Sequence, residues 1–125
     1  MFQVVTTDKA PKAIGPYSQA TMYNGFIFVS GQIPLDPKTG QLIVGPVAEQ
    51  TRQVMNNLAT ILEAAGSNLA RVIKTTVYLK DMQDFEEMNK VYGEFFSGPK
   101  PARATVQVAR LPRDVSVEID AIAVG

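Results

Sequence analysis

Two stretches with the three-and-four spacing of an amphipathic helix, set among runs that alternate or turn like strands, constrain this chain most. From Val47 to Ala65 the apolar residues Val47, Val54, Met55, Leu58, Ile61, Leu62 and Ala65 recur at helical steps, and Gly66 supplies a stop. A second helix is expected to open at Asp84, with Glu87 three positions on as in a capping box. It carries Phe85, Met88, Tyr92 and Phe95 on one face and should end near Gly98. Asn24 and Gly25 suit the turn of a hairpin running from Tyr17 to Ser30. In its second strand Phe26, Phe28 and Ser30 share one face and Ile27 and Val29 the other, so both faces are expected to be at least partly covered. Gly31 to Gly45, with Pro34, Pro37 and Pro46 around it, reads as a loop of functional length. Val72 to Leu79 alternates, with Ile73, Val77 and Leu79 against Lys74, Thr76 and Tyr78, and two last strands follow at Ala102–Val108 and Val115–Val124.

This order implies an α+β fold, a mixed sheet with both helices packed on one face. Two helices shield one side of a sheet, so the other side is expected to pack against further subunits, most simply in a closed ring. At 125 residues the chain is expected to form a single domain, residues 1–125.

Composition removes much chemistry. The chain has no Cys, His or Trp, which excludes disulfides, zinc sites built on thiolate or imidazole, and any triad with His as its base. Proton transfer is left to Glu, Asp, Lys, Tyr or water. Twelve Lys and Arg balance twelve Asp and Glu, so no general attraction to nucleic acid or to anionic membranes is expected. No apolar run approaches the ~20 residues that span a bilayer, and Met1–Ala10 lacks a basic segment followed by an apolar stretch. The expected location is the cytoplasm.

In the strand from Ala102, Arg103, Thr105 and Gln107 point one way and Ala104, Val106 and Val108 the other. In the last strand Ser116, Glu118 and Asp120 oppose Val115, Val117 and Ile119. A solvated sheet face explains this pattern, and so does a polar site. Arg103 follows Lys100, Pro101 and Ala102 at the mouth of a strand, where its fork of donors could grip a carboxylate by two hydrogen bonds.

Pro101-Ala102-Arg103-Ala104-Thr105-Val106, followed by Ala109, Leu111 and Val117-Glu118-Ile119, closely resembles the C-terminal signature of the Rid family, also called YjgF. Ala13-Ile14-Gly15-Pro16-Tyr17-Ser18-Gln19, Ser30-Gly31-Gln32-Ile33-Pro34 and Lys74-Thr75-Thr76-Val77 agree independently. The resemblance covers essentially the whole chain and is strongest to the RidA branch. It implies a six-stranded sheet like that of bacterial chorismate mutase, assembled as a homotrimer with sites in clefts between subunits.

The resemblance also implies an activity, the hydrolysis of 2-imino acids such as 2-iminopropanoate and 2-iminobutanoate to 2-keto acids and ammonia, with no cofactor and no metal. Arg103 would bind the substrate carboxylate, and Glu118 would position or activate the attacking water. Tyr17, Ser30, Gly31 and Asn89 match positions around the ligand, with Gly31 acting through its backbone. Thr105 stands where many members carry Cys and can still present a hydroxyl. Plain structural roles stay open: Tyr17 closing the core, Ser30 ending a strand, Asn89 as a polar helix position. Two further readings are a non-catalytic binder of small keto acids and an RNA-cleaving inhibitor of translation; the balanced charge and lack of His oppose the latter.

The short link Ala109–Asp114 would by itself suggest that the last two strands pair as a hairpin, placing Arg103 near Asp120. The family fold instead sets the sixth strand between the third and fourth. Arg103 and Glu118 are then expected to converge across a subunit interface.

Overall fold

Asn24 and Gly25 adopt φ of 51° and 80°, the pair of left-handed residues a two-residue hairpin turn needs. They join β2 (Ala20–Tyr23) to β3 (Phe26–Gln32), with Tyr23 opposite Phe26. In the computed structural model, which describes residues 1–125, this hairpin gains an outer neighbour, β1 (Gln3–Val5), too short for its alternation to be read from sequence. The first strand of the hairpin begins later than expected, because Tyr17 to Gln19 lie outside it. The remaining strands are β4 (Val72–Leu79), β5 (Ala102–Gln107) and β6 (Val117–Val124).

The six strands form one sheet in the order β1-β2-β3-β6-β4-β5. β4 and β5 run parallel and all other neighbours antiparallel, so the sheet is mixed. β5 and β6 do not pair; each lies against β4 on opposite sides. The link between them, residues 108–116, therefore carries the chain past a strand instead of closing a hairpin.

Helices α1 (Val47–Ala64) and α2 (Phe85–Glu94) cover one face. There Val54, Met55, Leu58, Ile61 and Leu62 of α1 and Met88 and Tyr92 of α2 share a single buried cluster with Ile27, Val29, Val77, Leu79, Val117 and Ile119. Burying a side chain the size of Leu58 stabilises the fold by about 1.5–3 kcal/mol. Asn57, buried in α1, donates to the carbonyls of Ile33 at 3.3 Å and Leu35 at 2.9 Å, which pins the loop between β3 and α1 to the helix.

Three local expectations differ. Ile73 is 44% exposed, because the β4–β6 register shifts between Val72 and Lys74; this bulge turns Val72, not Ile73, to the buried side that Thr75, Val77 and Leu79 share by plain alternation. Asp84 makes no side-chain cap; a 3₁₀ turn at Met82–Asp84 precedes α2, opened by Asp81, which accepts from the Gln83 amide at 2.9 Å. Glu87 reaches across to the Ala48 amide at 3.0 Å and so satisfies an N-terminal donor of α1, not of its own helix. α2 also stops at Glu94, short of Gly98.

The second sheet face is open in this chain. Phe26 and Phe28 are 42% and 46% exposed, and Val4, Tyr23 and Val106 are exposed as well. Both helices pack on the Ile27 side of β3, so the other face, expected to be at least partly covered, keeps Phe26 and Phe28 only about half covered in the single chain.

Candidate functional site

Arg103 stands opposite Thr75, and Thr105 opposite Val77, in the β4–β5 ladder. Thr75 and Val77 are buried beneath the helices, so the period of two sends Arg103 and Thr105 to the helix side, at the edge of the sheet. Phe85, Asn89 and Tyr92 form a stripe along α2 at steps of four and three. The Arg103 guanidinium lies 4.9 Å from the Tyr92 ring centroid and 5.5 Å from that of Phe85, within cation–π range. Its Nη1 donates to Asn89 Oδ1 at 2.7 Å. Asn89 is the one hydrogen-bond partner of the Arg103 side chain, so the rest of its fork stays available to a planar anion. Thr105 Oγ1, two residues along, is buried without a partner.

Glu118 projects from the other face, because its neighbours Val117 and Ile119 are buried under the helices. A shift in the β3–β6 register between Val29 and Gln32 brings Gly31 against it. A Cβ at residue 31 would overlap Glu118 Oε2 and stand 2.9 Å from its Cδ; glycine is what lets the carboxyl lie on the β3 backbone. Burial, and then the neighbouring charge of Asp120, raise the Glu118 pKa above the ordinary glutamate range. Tyr78, across from Glu118 in the ladder, donates its hydroxyl to Asp120 Oδ2 at 2.9 Å. Burial first, then Asp120, push that phenol up.

Ser30 ties the segment before β2 to this region. Its hydroxyl donates to the Ser18 carbonyl at 2.6 Å and its amide to the Gln19 carbonyl at 2.9 Å. The buried Gln19 side chain accepts from the Thr7 amide at 2.7 Å and donates to the carbonyls of Thr7 at 2.9 Å and Pro11 at 2.8 Å. Tyr17, 54% exposed, follows Gly15 with φ 122° and lines a small recess together with Gly31.

The residues singled out from sequence thus fall into two sets. Arg103, Asn89 and Thr105 gather on the helix side, while Glu118 and Gly31, with Ser30 and Tyr17 nearby, lie toward the open face. Within one chain the sheet separates them. Sequence reading missed Phe85 and Tyr92 as partners of Arg103, although their spacing with Asn89 held the signal, and missed Tyr78 and Asp120 beside Glu118. No group of three or more acidic side chains is placed to hold a metal ion, and no helix is long and apolar enough to cross a membrane.

A family model described as Endoribonuclease L-PSP matches residues 7–125. The chain belongs to this family, the YjgF or Rid proteins. Among its Rid relatives, a RutC family protein of Pyrococcus horikoshii is 58% identical over 98% of both chains. The 2-iminobutanoate/2-iminopropanoate deaminase of Mus musculus is 53% identical over 98% of this chain and 90% of its own length. Of solved Rid structures, the Escherichia coli YjgF gene product superposes with a TM-score of 0.94 at 47% identity, and E. coli TdcF with bound serine with 0.94 at 43%, each covering 98% of both chains. The six-stranded mixed sheet with two helices is thus the Rid fold.

Proposed function

We propose that this Rid protein hydrolyses small 2-imino acids to 2-keto acids and ammonia, in clefts between the copies of a homotrimer. Arg103 binds the substrate carboxylate through the donors that Asn89 leaves free. Glu118 takes a proton from water as the water oxygen bonds to the imine carbon. Glu118 gives that proton to nitrogen, forming a carbinolamine; it then takes the carbinolamine hydroxyl proton and passes it to the amine as the C–N bond breaks, so the keto group forms and ammonia leaves. A carboxyl whose pKa is raised toward the working pH suits both halves of this exchange, acceptor first and donor next. The imine carbon is already electrophilic, so orientation and a placed water are the main requirements.

The observation that carries the reading is the Arg103 guanidinium, held by two rings and one amide with the rest of its fork unpaired. Mammalian relatives named as imino acid deaminases support the choice of reaction. The exposed apolar face around Phe26 and Phe28 supports assembly, because a bare patch of this kind on a sheet marks an interface. Tyr17, Ser30, Gly31 and Thr105 would complete the cleft around the substrate.

Turnover of 2-iminopropanoate generated in situ tests the reading. Arg103→Ala should lose it, and full activity in that variant would contradict the anchor role. A second reading, a non-catalytic holder of small acids, is favoured by the serine bound to TdcF. Glu118→Gln separates the two: as a deaminase the protein should lose at least about a hundredfold in turnover, whereas as a holder it should have no turnover to lose and bind pyruvate equally well with either residue.

A further inference from the structure

We propose that Tyr92 is a positioning residue for Arg103, holding the guanidinium by its face so that its free N–H edge stays aimed at an incoming carboxylate. The proposal rests on Arg103 being the carboxylate anchor. An arginine on an edge strand carries about 2 kcal/mol of rotamer entropy, and a site that binds a small anion gains when that freedom is removed beforehand.

Three side chains hold Arg103, and they differ in how firmly they are themselves held. Asn89 is exposed and Phe85 half-buried, while Tyr92 is 6% exposed. The Tyr92 ring also makes the closer approach to the guanidinium, 4.9 Å against 5.5 Å. Its hydroxyl pairs with Thr75 Oγ1 at 2.7 Å, and Thr75 is itself 1% exposed. Its ring also meets the Phe96 ring at 4.9 Å between centroids.

Thr75 is also the residue opposite Arg103 in the β4–β5 ladder. The contacts therefore close on themselves: the sheet fixes Arg103 relative to Thr75, Thr75 fixes the Tyr92 hydroxyl, and the Tyr92 ring fixes the guanidinium. Burial raises the Tyr92 pKa above the ordinary phenol range, against smaller opposing effects from the Thr75 hydrogen bond and the Arg103 charge. A leucine at this position keeps an apolar side chain in the core, at a cost in packing, but offers no π face; comparing a charged with an uncharged probe then separates packing from stacking.

The test uses the full chain labelled with nitrogen-15, with pyruvate and its uncharged amide as probes. The Arg103 side-chain Nε–H signal, assigned by its loss in Arg103→Ala, should lie upfield from ring current in the wild type. Tyr92→Leu should move that signal downfield, leaving only the smaller shift from the more distant Phe85 ring, and weaken pyruvate by about tenfold. It should leave the amide unaffected and add nothing to Arg103→Ala. An unmoved signal with wild-type pyruvate affinity, or equal weakening of pyruvate and the amide, would overturn the proposal. If Tyr92→Leu does not fold, Tyr92→Phe and Thr75→Val take its place: each unties the ring and should weaken pyruvate roughly threefold, and no change in either would overturn it. Full pyruvate affinity in Arg103→Ala would sink the anchor reading instead, and the proton shift would still decide the stack.

Discussion

The two faces of the sheet are finished differently. On the helix side Leu58, Ile61, Leu79 and Ile119 are fully buried, and the aromatic bracket around Arg103 is assembled from β4, β5 and α2 of one chain. On the open side Phe28 remains 46% exposed, and Glu118 has Tyr78 and Asp120 around it but no cation paired with it. The first face is complete when the chain has folded. The second has its acid in place and still lacks a cover, so half of the proposed chemistry is set by folding and half by assembly.

A charge on the open face attacks this contrast most severely. Phe28→Asp should dissociate the assembly in sedimentation and abolish turnover while leaving the circular dichroism spectrum folded; a variant that stays assembled and active would show that the face is not an interface. The covered face should answer in the opposite way. Leu58→Ala should cost about 3 kcal/mol in denaturant melts, since a fully buried leucine leaves a cavity, and a loss below about 1 kcal/mol would mean the core there is loosely packed.

Gly31→Ala sharpens the open side without disturbing either layer. The added methyl displaces the Glu118 carboxyl, so turnover should fall about a hundredfold with assembly unchanged; an active variant would remove Glu118 from the reaction.

The smallest effect is a pH dependence. Glu118 has its pKa raised in the folded chain, by burial first and Asp120 second. Between the ordinary glutamate pKa and the raised one, the folded state holds more protons than the unfolded state. Stability from this group therefore falls as pH rises through that window. The thermal midpoint of Glu118→Gln relative to wild type should climb from about pH 4 upward and then level off; a gap that narrows with rising pH would contradict the burial of this carboxyl.

Local features of the fold were legible where the chemistry is local. Asn24-Gly25 specifies its turn through two positive φ angles, and the spacing from Val47 to Leu62 specifies α1 through its buried stripe. The sheet order was not legible from spacing, because a short link says nothing about whether the chain pairs back or passes a strand; the motif resemblance supplied that order. Ile73 was misplaced because one inserted residue reverses an alternation without changing composition. Glu87 was misread for a related reason: its partner, the Ala48 amide, lies 39 positions away. At the site, Arg103 and Glu118 stood out as charges in a recognisable motif. Tyr92 did not, since a buried aromatic on a helix reads as core until the strand beside it is known.

In the proposed cleft Arg103 of one copy works with Glu118 of another. Arg103→Ala and Glu118→Gln chains, each inactive alone, should be unfolded together, refolded as a mixture and assayed for 2-iminopropanoate hydrolysis. If each cleft takes one residue from each of two copies, an equal mixture should recover about a quarter of wild-type turnover. A mixture no more active than its separate components would contradict the account.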